Sequence, residues 1–161
     1  MQTVFLHGLE SGPNGTKSQA LRALEPALLT PDLQAWSSAP ERARQVAALL
    51  PTGQPLILVG SSLGGLTAVL LENAGTHDIR GMVLCAPALL RAEAPLLPAR
   101  CPVVTLHGRQ DELLDFDATV AAAKALGHVV LPVDDGHRLR DSHPAILAAW
   151  LALRAALTAA R

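Results

Sequence analysis

Tyrosine is missing from this 161-residue sequence, and its aromatic residues amount to two tryptophans and two phenylalanines. A stacking platform for nucleobases cannot be built from so few rings. Cysteine is scarce as well. Cys85 and Cys101 are the only two, which excludes a disulfide framework, and each sits beside an expected strand, where a small apolar-like core residue is the natural reading. Charge is sparse and balanced, with 13 basic against 14 acidic residues and a net charge of −1. Neither a basic nucleic-acid footprint nor an acidic tail is present. Apolar runs are broken by Pro, Gly or charge well short of the ~18 residues a membrane span requires. The opening "MQTVFLHG" turns into a strand and a glycine turn at once, so a cytoplasmic protein is expected. Nothing in the sequence specifies an oligomeric state.

What is present is a rhythm of short β-rich runs and helical segments. The runs lie at Thr3 to Leu6, Pro55 to Val59, Gly81 to Cys85, Val103 to Leu106 and Val129 to Val133, with a weaker sixth near Leu28 to Leu33. Helical patterns occupy Lys17 to Leu28, Pro40 to Leu50, Leu63 to Asn73, Asp115 to Leu126 and Pro144 to Leu157. Runs such as "LILVG" and "VVTLHG" are apolar on both faces, as parallel strands covered by helices on either side must be. The expected fold is α/β: a doubly wound, mostly parallel six-stranded sheet flanked by helices, forming one domain over residues 1–161. The proline-rich segment Ala86 to Arg100 breaks the rhythm, with room for a turn or two of helix and no lid domain.

In such sheets ligands meet the carboxyl ends of the strands, so the residues just after each strand carry the chemistry. Four ends are informative: "HGLESGPNG", "GSSLGG", "HGRQDELLD" and "DDGHRL". Gly-x-Ser-x-Gly spacing selects Ser62, flanked by Gly60 and Gly64. Ser61 would need glycine at Val59 and Leu63, and is left as a supporting residue. The competing reading of Ser62 is a helix N-cap in a tight turn. A serine hydroxyl is a weak nucleophile until a base takes its proton and a carboxylate orients that base. His137, after the last strand, is the candidate base. His7 and His107 precede glycines at other strand ends and read as turn buttresses, His77 and His128 as surface or strand-start residues, and His143 as an exposed residue by a helix cap. Asp111 is the candidate acid, in the chain order Ser, Asp, His. Glu112 and Asp115 in the same loop, and Asp134 and Asp135 beside His137, are its rivals.

The N–H of Leu63, at the start of the helix after Ser62, can stabilise negative charge on a substrate oxygen. A second donor should come from the loop after the first strand, with Leu9 the leading candidate and Glu10 the alternative. The following "SGPNGTKS" fails as a phosphate-binding loop, because Thr16 separates Gly15 from Lys17.

These stretches in order resemble the α/β-hydrolase superfamily, and more narrowly the small bacterial esterases of the YqiA/YcfP type. "FLHGLESGP" with Lys17 is similar to that group's opening, "VGSSLGG" to its nucleophile turn, "DELLDF" to its acid loop and "DDGHR" to its histidine loop. The resemblance implies a serine hydrolase acting on a small-molecule carboxylic ester or thioester, with Ser62, Asp111 and His137 as triad and no metal or cofactor. Those esterases carry a longer segment where this chain has only Ala86 to Arg100, so a comparatively open site is expected. Leu89, Leu90, Leu96 and Leu97 could give it an apolar lip, or could simply pack in the core. A peptidase would use the same residues. The alternative of a different class is a non-catalytic protein of this fold that binds a small ligand or a partner protein.

Overall fold

A computed structural model describes residues 1–160. Five strands, β1 (Gln2–Leu6), β2 (Leu56–Ser61), β3 (Ile79–Cys85), β4 (Val103–Gly108) and β5 (Val129–Val133), form one sheet in that order, and every pairing is parallel. Side chains along a strand alternate between faces, and the core divides accordingly. Leu56, Leu58, Met82 and Leu84 pack with Val46, Val69, Leu71 and Ala123 on one side. Ile57, Val59, Val83 and Cys85 pack with Leu21, Ile146, Trp150 and Leu153 on the other. The first set belongs to α2 (Ala39–Leu49), α3 (Leu63–Ala74) and α4 (Phe116–Ala125), the second to α1 (Thr16–Leu24) and α5 (His143–Ala159). Apolar runs with no polar face are thus explained by burial from both directions.

The expected sixth strand is reduced to one bridge. Leu29 pairs with β1 alongside Val4, its carbonyl accepting from Phe5 N–H (2.8 Å) and its N–H donating to Thr3 O (3.0 Å). Pro31, two residues on, has no N–H to continue a ladder, and Pro26 precedes it, so the pairing stops after one register position. The bridge still fixes the winding: the chain leaves β1 through α1, returns on its outer edge at Leu29, then crosses back through α2 to β2. The direction of winding reverses at β1, and a crevice opens there at the carboxyl ends of the strands.

Helix ends follow local chemistry. Ser38 Oγ accepts Glu41 N–H at 3.3 Å and caps α2, with Pro40 in its first turn. Asp115 caps α4 through Ala118 N–H at 2.8 Å. Helix α3 stops at Gly75, whose φ of 68° is the left-handed conformation that favours glycine. Helix α1 ends at Leu24, four residues short of the expected Leu28, because Pro26 excludes helical geometry from the residue before it. Between β3 and β4 the chain makes only a 3₁₀ turn, Leu89–Arg91. Its Leu89 is buried and Leu96 packs against the core, while Leu90 and Leu97 face outward. Among the described residues no helix is long and apolar enough to cross a membrane.

His128, at the start of β5, is buried, with its Nδ1 3.0 Å from Thr105 Oγ1. Burial lowers its imidazole pKa to about 4, against an ordinary value near 6.5. Between those two values the unfolded chain binds a proton that the folded one refuses, so stability falls as pH drops through that window. Urea unfolding should show His128 contributing about 2 kcal/mol to the loss between pH 7 and pH 5. His128→Gln should have a correspondingly shallower acid slope, and an unchanged slope would refute the assignment.

Candidate active site

Strand β2 ends at Ser61 and helix α3 begins at Leu63, so Ser62 alone makes the turn. Its φ of 53° and ψ of −114° lie where side chains are rarely tolerated, a strain of about 1–3 kcal/mol that surrounding contacts must hold. They do so through the backbone. Ser62 N–H donates to Cys85 O at 2.9 Å, and Ser62 O accepts from Gly65 N–H (2.9 Å) and Ala88 N–H (3.0 Å). The glycines are required by proximity: a Cβ on Gly60 would stand 2.6 Å from Gly64 O, and one on Gly64 would stand 2.0 Å from Leu6 O. Ser62 stands at the N-cap position of α3, but its side chain makes no capping hydrogen bond to the helix. Its Oγ lies instead 3.0 Å from His137 Nε2.

His137 occupies the loop after β5, shaped by Asp135. That carboxylate accepts from Gly136 N–H (2.7 Å), Asp141 N–H (2.9 Å) and Ser142 Oγ–H (2.8 Å), and makes no hydrogen bond to the imidazole. His137 Nδ1 lies 2.8 Å from Asp111 Oδ2. With Nδ1–H donating to the carboxylate, Nε2 is left to accept the Ser62 hydroxyl proton. The Asp111 side chain is fully buried. Burial opposes its charge, but hydrogen bonds from His137 and from the N–H groups of Leu114 and Leu113 prevail and hold its carboxyl below the usual range. The rival acids have other work. Glu112 Oε2 accepts the His137 backbone N–H at 3.1 Å, Asp115 caps α4, and Asp134 lies on the surface facing Arg109.

Two buried histidines support the strand ends. His7 Nε2 accepts from Leu33 N–H (2.9 Å), which leaves Nδ1–H to donate to Gly8 O (2.7 Å), the buttressing expected of it. Buried Arg42 ties α2 to the same place by donating to His7 O at 2.8 Å. His107 does more than brace a turn: its Nε2 approaches the same Asp111 Oδ2 at 3.2 Å, behind the face that meets His137. Desolvation lowers the His107 pKa, against the opposing pull of Asp111. His143, expected to be exposed, lines the cleft with its Nε2 buried.

Gly8 brings the loop after β1 against the turn; a Cβ there would lie 3.5 Å from Ser62 Cβ. The N–H groups of Leu63, Leu9 and Glu10 have no protein acceptor among the described residues, so all three are free to donate. A cleft of about 760 Å³ opens over Ser62 and His137, bounded by Leu9, Leu113 and Leu114 among others. None of the four leucines of Ala86 to Arg100 reaches it. That segment contributes Arg91 instead. Burial pushes both free cysteine thiols up to about 12, which leaves them inert. Among the described residues no group of three His, Cys, Asp or Glu side chains could hold a metal ion.

Residues 2–96 match the uncharacterised protein family UPF0227. A comparison with curated proteins returned no match. Among solved structures, a protein from Xanthomonas campestris pv. campestris whose name places it in the alpha/beta superfamily of hydrolases is 26% identical, with a TM-score of 0.85 over 96% of this chain and 98% of that one. Est1E from Butyrivibrio proteoclasticus (18% identity, TM-score 0.73, 96% and 88% coverage) shares the fold. So does mouse alpha/beta hydrolase domain-containing protein 10 (18%, 0.76, 97% and 90%). The fold is that of the α/β-hydrolase superfamily.

The close approach at Gly64 should be visible in stability. Gly64→Ala should cost more than about 3 kcal/mol in urea unfolding, or abolish folding, because Leu6 O belongs to the sheet and cannot retreat. Gly127→Ala, where φ is +83° but nothing lies within 4 Å, should cost only about 1 kcal/mol.

Proposed function

The chain belongs to the uncharacterised protein family UPF0227, and within that family we propose that it is a serine hydrolase cleaving small-molecule carboxylic esters or thioesters. The observation that carries this reading is the continuous array from Ser62 Oγ to His137 Nε2 at 3.0 Å and from His137 Nδ1 to Asp111 Oδ2 at 2.8 Å. It lies at the floor of an open cleft and is drawn from three different strand ends. Such an array has a nucleophile, a base and an orienting carboxylate in hydrogen-bond reach of one another.

Ser62 Oγ attacks the carbonyl carbon as His137 Nε2 takes its proton, and buried Asp111 stabilises the imidazolium without accepting the proton. Negative charge on the carbonyl oxygen is met by the N–H of Leu63 and of Leu9, with Glu10 as alternate donor. Collapse of the tetrahedral adduct breaks the bond to the leaving alcohol or thiol, which receives the proton from His137. Water, deprotonated by the same nitrogen, then attacks the acyl-serine; the acid departs and Ser62 regains its proton.

A fluorophosphonate probe should label the folded protein at Ser62, and para-nitrophenyl acetate should be turned over. Ser62→Ala should abolish labelling and lower kcat by three orders of magnitude or more, roughly the loss seen when a triad member is removed. Asp111→Asn should lower kcat by roughly four orders of magnitude, since the amide favours the wrong imidazole tautomer. Labelling that survives Ser62→Ala and disappears in Ser61→Ala would overturn the assignment. A folded protein that neither labels nor turns over esters would favour a ligand-binding role.

A further inference from the structure

The chain as a whole is nearly neutral, but the walls of its cleft are not. Four cationic side chains, Lys17, Arg91, Arg138 and Arg140, share it with Ser62 and His137, against two carboxylates, Glu10 and Glu112. Both carboxylates are engaged: Glu112 accepts the His137 N–H at 3.1 Å, and Glu10 Oε2 lies 3.6 Å from Arg138 Nη2. Lys17 is likewise committed, donating from Nζ to Arg138 O at 2.6 Å, though its charge remains at the rim. Arg91 and Arg140 are different. Each reaches the cleft from a separate segment, the 3₁₀ turn after β3 and the loop after β5, and neither guanidinium has a hydrogen-bond or ion-pair partner among the described residues.

Two unpaired guanidinium groups thus line the same cleft as the proposed nucleophile. Resting on the hydrolase reading above, we propose that the cleft selects esters carrying an anionic oxygen group, which Arg91 and Arg140 receive while the apolar part of the substrate lies against Leu9 and Leu113. The planar guanidinium suits a carboxylate or a phosphate, with two parallel N–H donors each. Leu9 and Leu113 are large apolar side chains left exposed at the same mouth, 46% and 56% accessible. The ligand is therefore amphiphilic: an apolar stem bearing the scissile ester and a charged end. A cationic mouth would also draw such a substrate in, an effect that salt suppresses.

Two matched pairs of esters test the idea and locate the charge. The first is para-nitrophenyl hydrogen suberate and its neutral carboxamide, with charge on the acyl side. The second is the acetate ester of a phenol bearing a propanoate chain and the corresponding carboxamide, with charge on the leaving side. In at least one pair kcat/KM should favour the anion by roughly tenfold at low salt, and by clearly less in 0.5 M salt, a concentration at which the Debye length is down to about 4 Å. The double substitution Arg91→Gln and Arg140→Gln should bring that ratio close to one. Arg80→Gln, which removes an exposed cation paired with Asp78 and outside the cleft, should leave the ratio alone. Equal or lower rates for the anions in both pairs would overturn the proposal while leaving the hydrolase reading intact. Calorimetric titration of Ser62→Ala with the same compounds reads the preference without turnover. If the unsubstituted protein hydrolyses none of them, that function is lost, and tighter binding of the anion, or its absence, still decides the question of charge.

Discussion

No side-chain carbon fits between the first turn of α3 and the ends of β1 and β2. At Gly64 the helix backbone presses on Leu6 and His7 carbonyl oxygens, and at Gly60 the strand presses on the helix in return. That closeness leaves Ser62 as the sole hinge residue and forces its positive φ. It also sets Gly8 against Ser62, so that the loop after β1 and the turn after β2 share one wall. Placing a hydroxyl and unpaired backbone donors together is therefore a result of packing rather than of any attraction between them. The strain at Ser62 is held by hydrogen bonds to Cys85 and Ala88, which means that β3 and its sequel clamp the turn from the other side.

Much of this was legible in the sequence because it rests on local rules. Even and odd residues of "LILVG" go to opposite helical layers, and the unbroken apolar run records both. Glycines two residues to either side of Ser62 record the close approach of helix and strand, and strand ends far apart in sequence meet because parallel sheets align their carboxyl ends. Other features depend on distances that no local pattern encodes. The run Leu28 to Leu33 has strand composition, but Pro31 limits it to one bridge. His107 reads as a residue before a turn glycine, and only the fold brings its ring behind Asp111. Arg91 sits among leucines that look like a lip, yet the 3₁₀ turn buries Leu89 and presents the arginine.

The polar interior follows a consistent division of labour. His7, Arg42 and Asp135 direct most of their hydrogen bonds to backbone atoms, several of them in the loops that carry the site, and are buried or partly buried while doing so. Asp111 commits one oxygen to backbone N–H groups and turns the other toward imidazoles. A carboxylate so placed is ionised because its surroundings supply donors before any ligand arrives, and the His137 ring is oriented by a group that is itself immobilised.

The amine of Lys17 reaches across 121 residues to the carbonyl of Arg138, beside His137. Helix α1 lies near the start of the chain and the His137 loop near its end, so one hydrogen bond fastens the two across the fold. The clasp makes the position of the His137 loop depend on segments from both ends of the sequence.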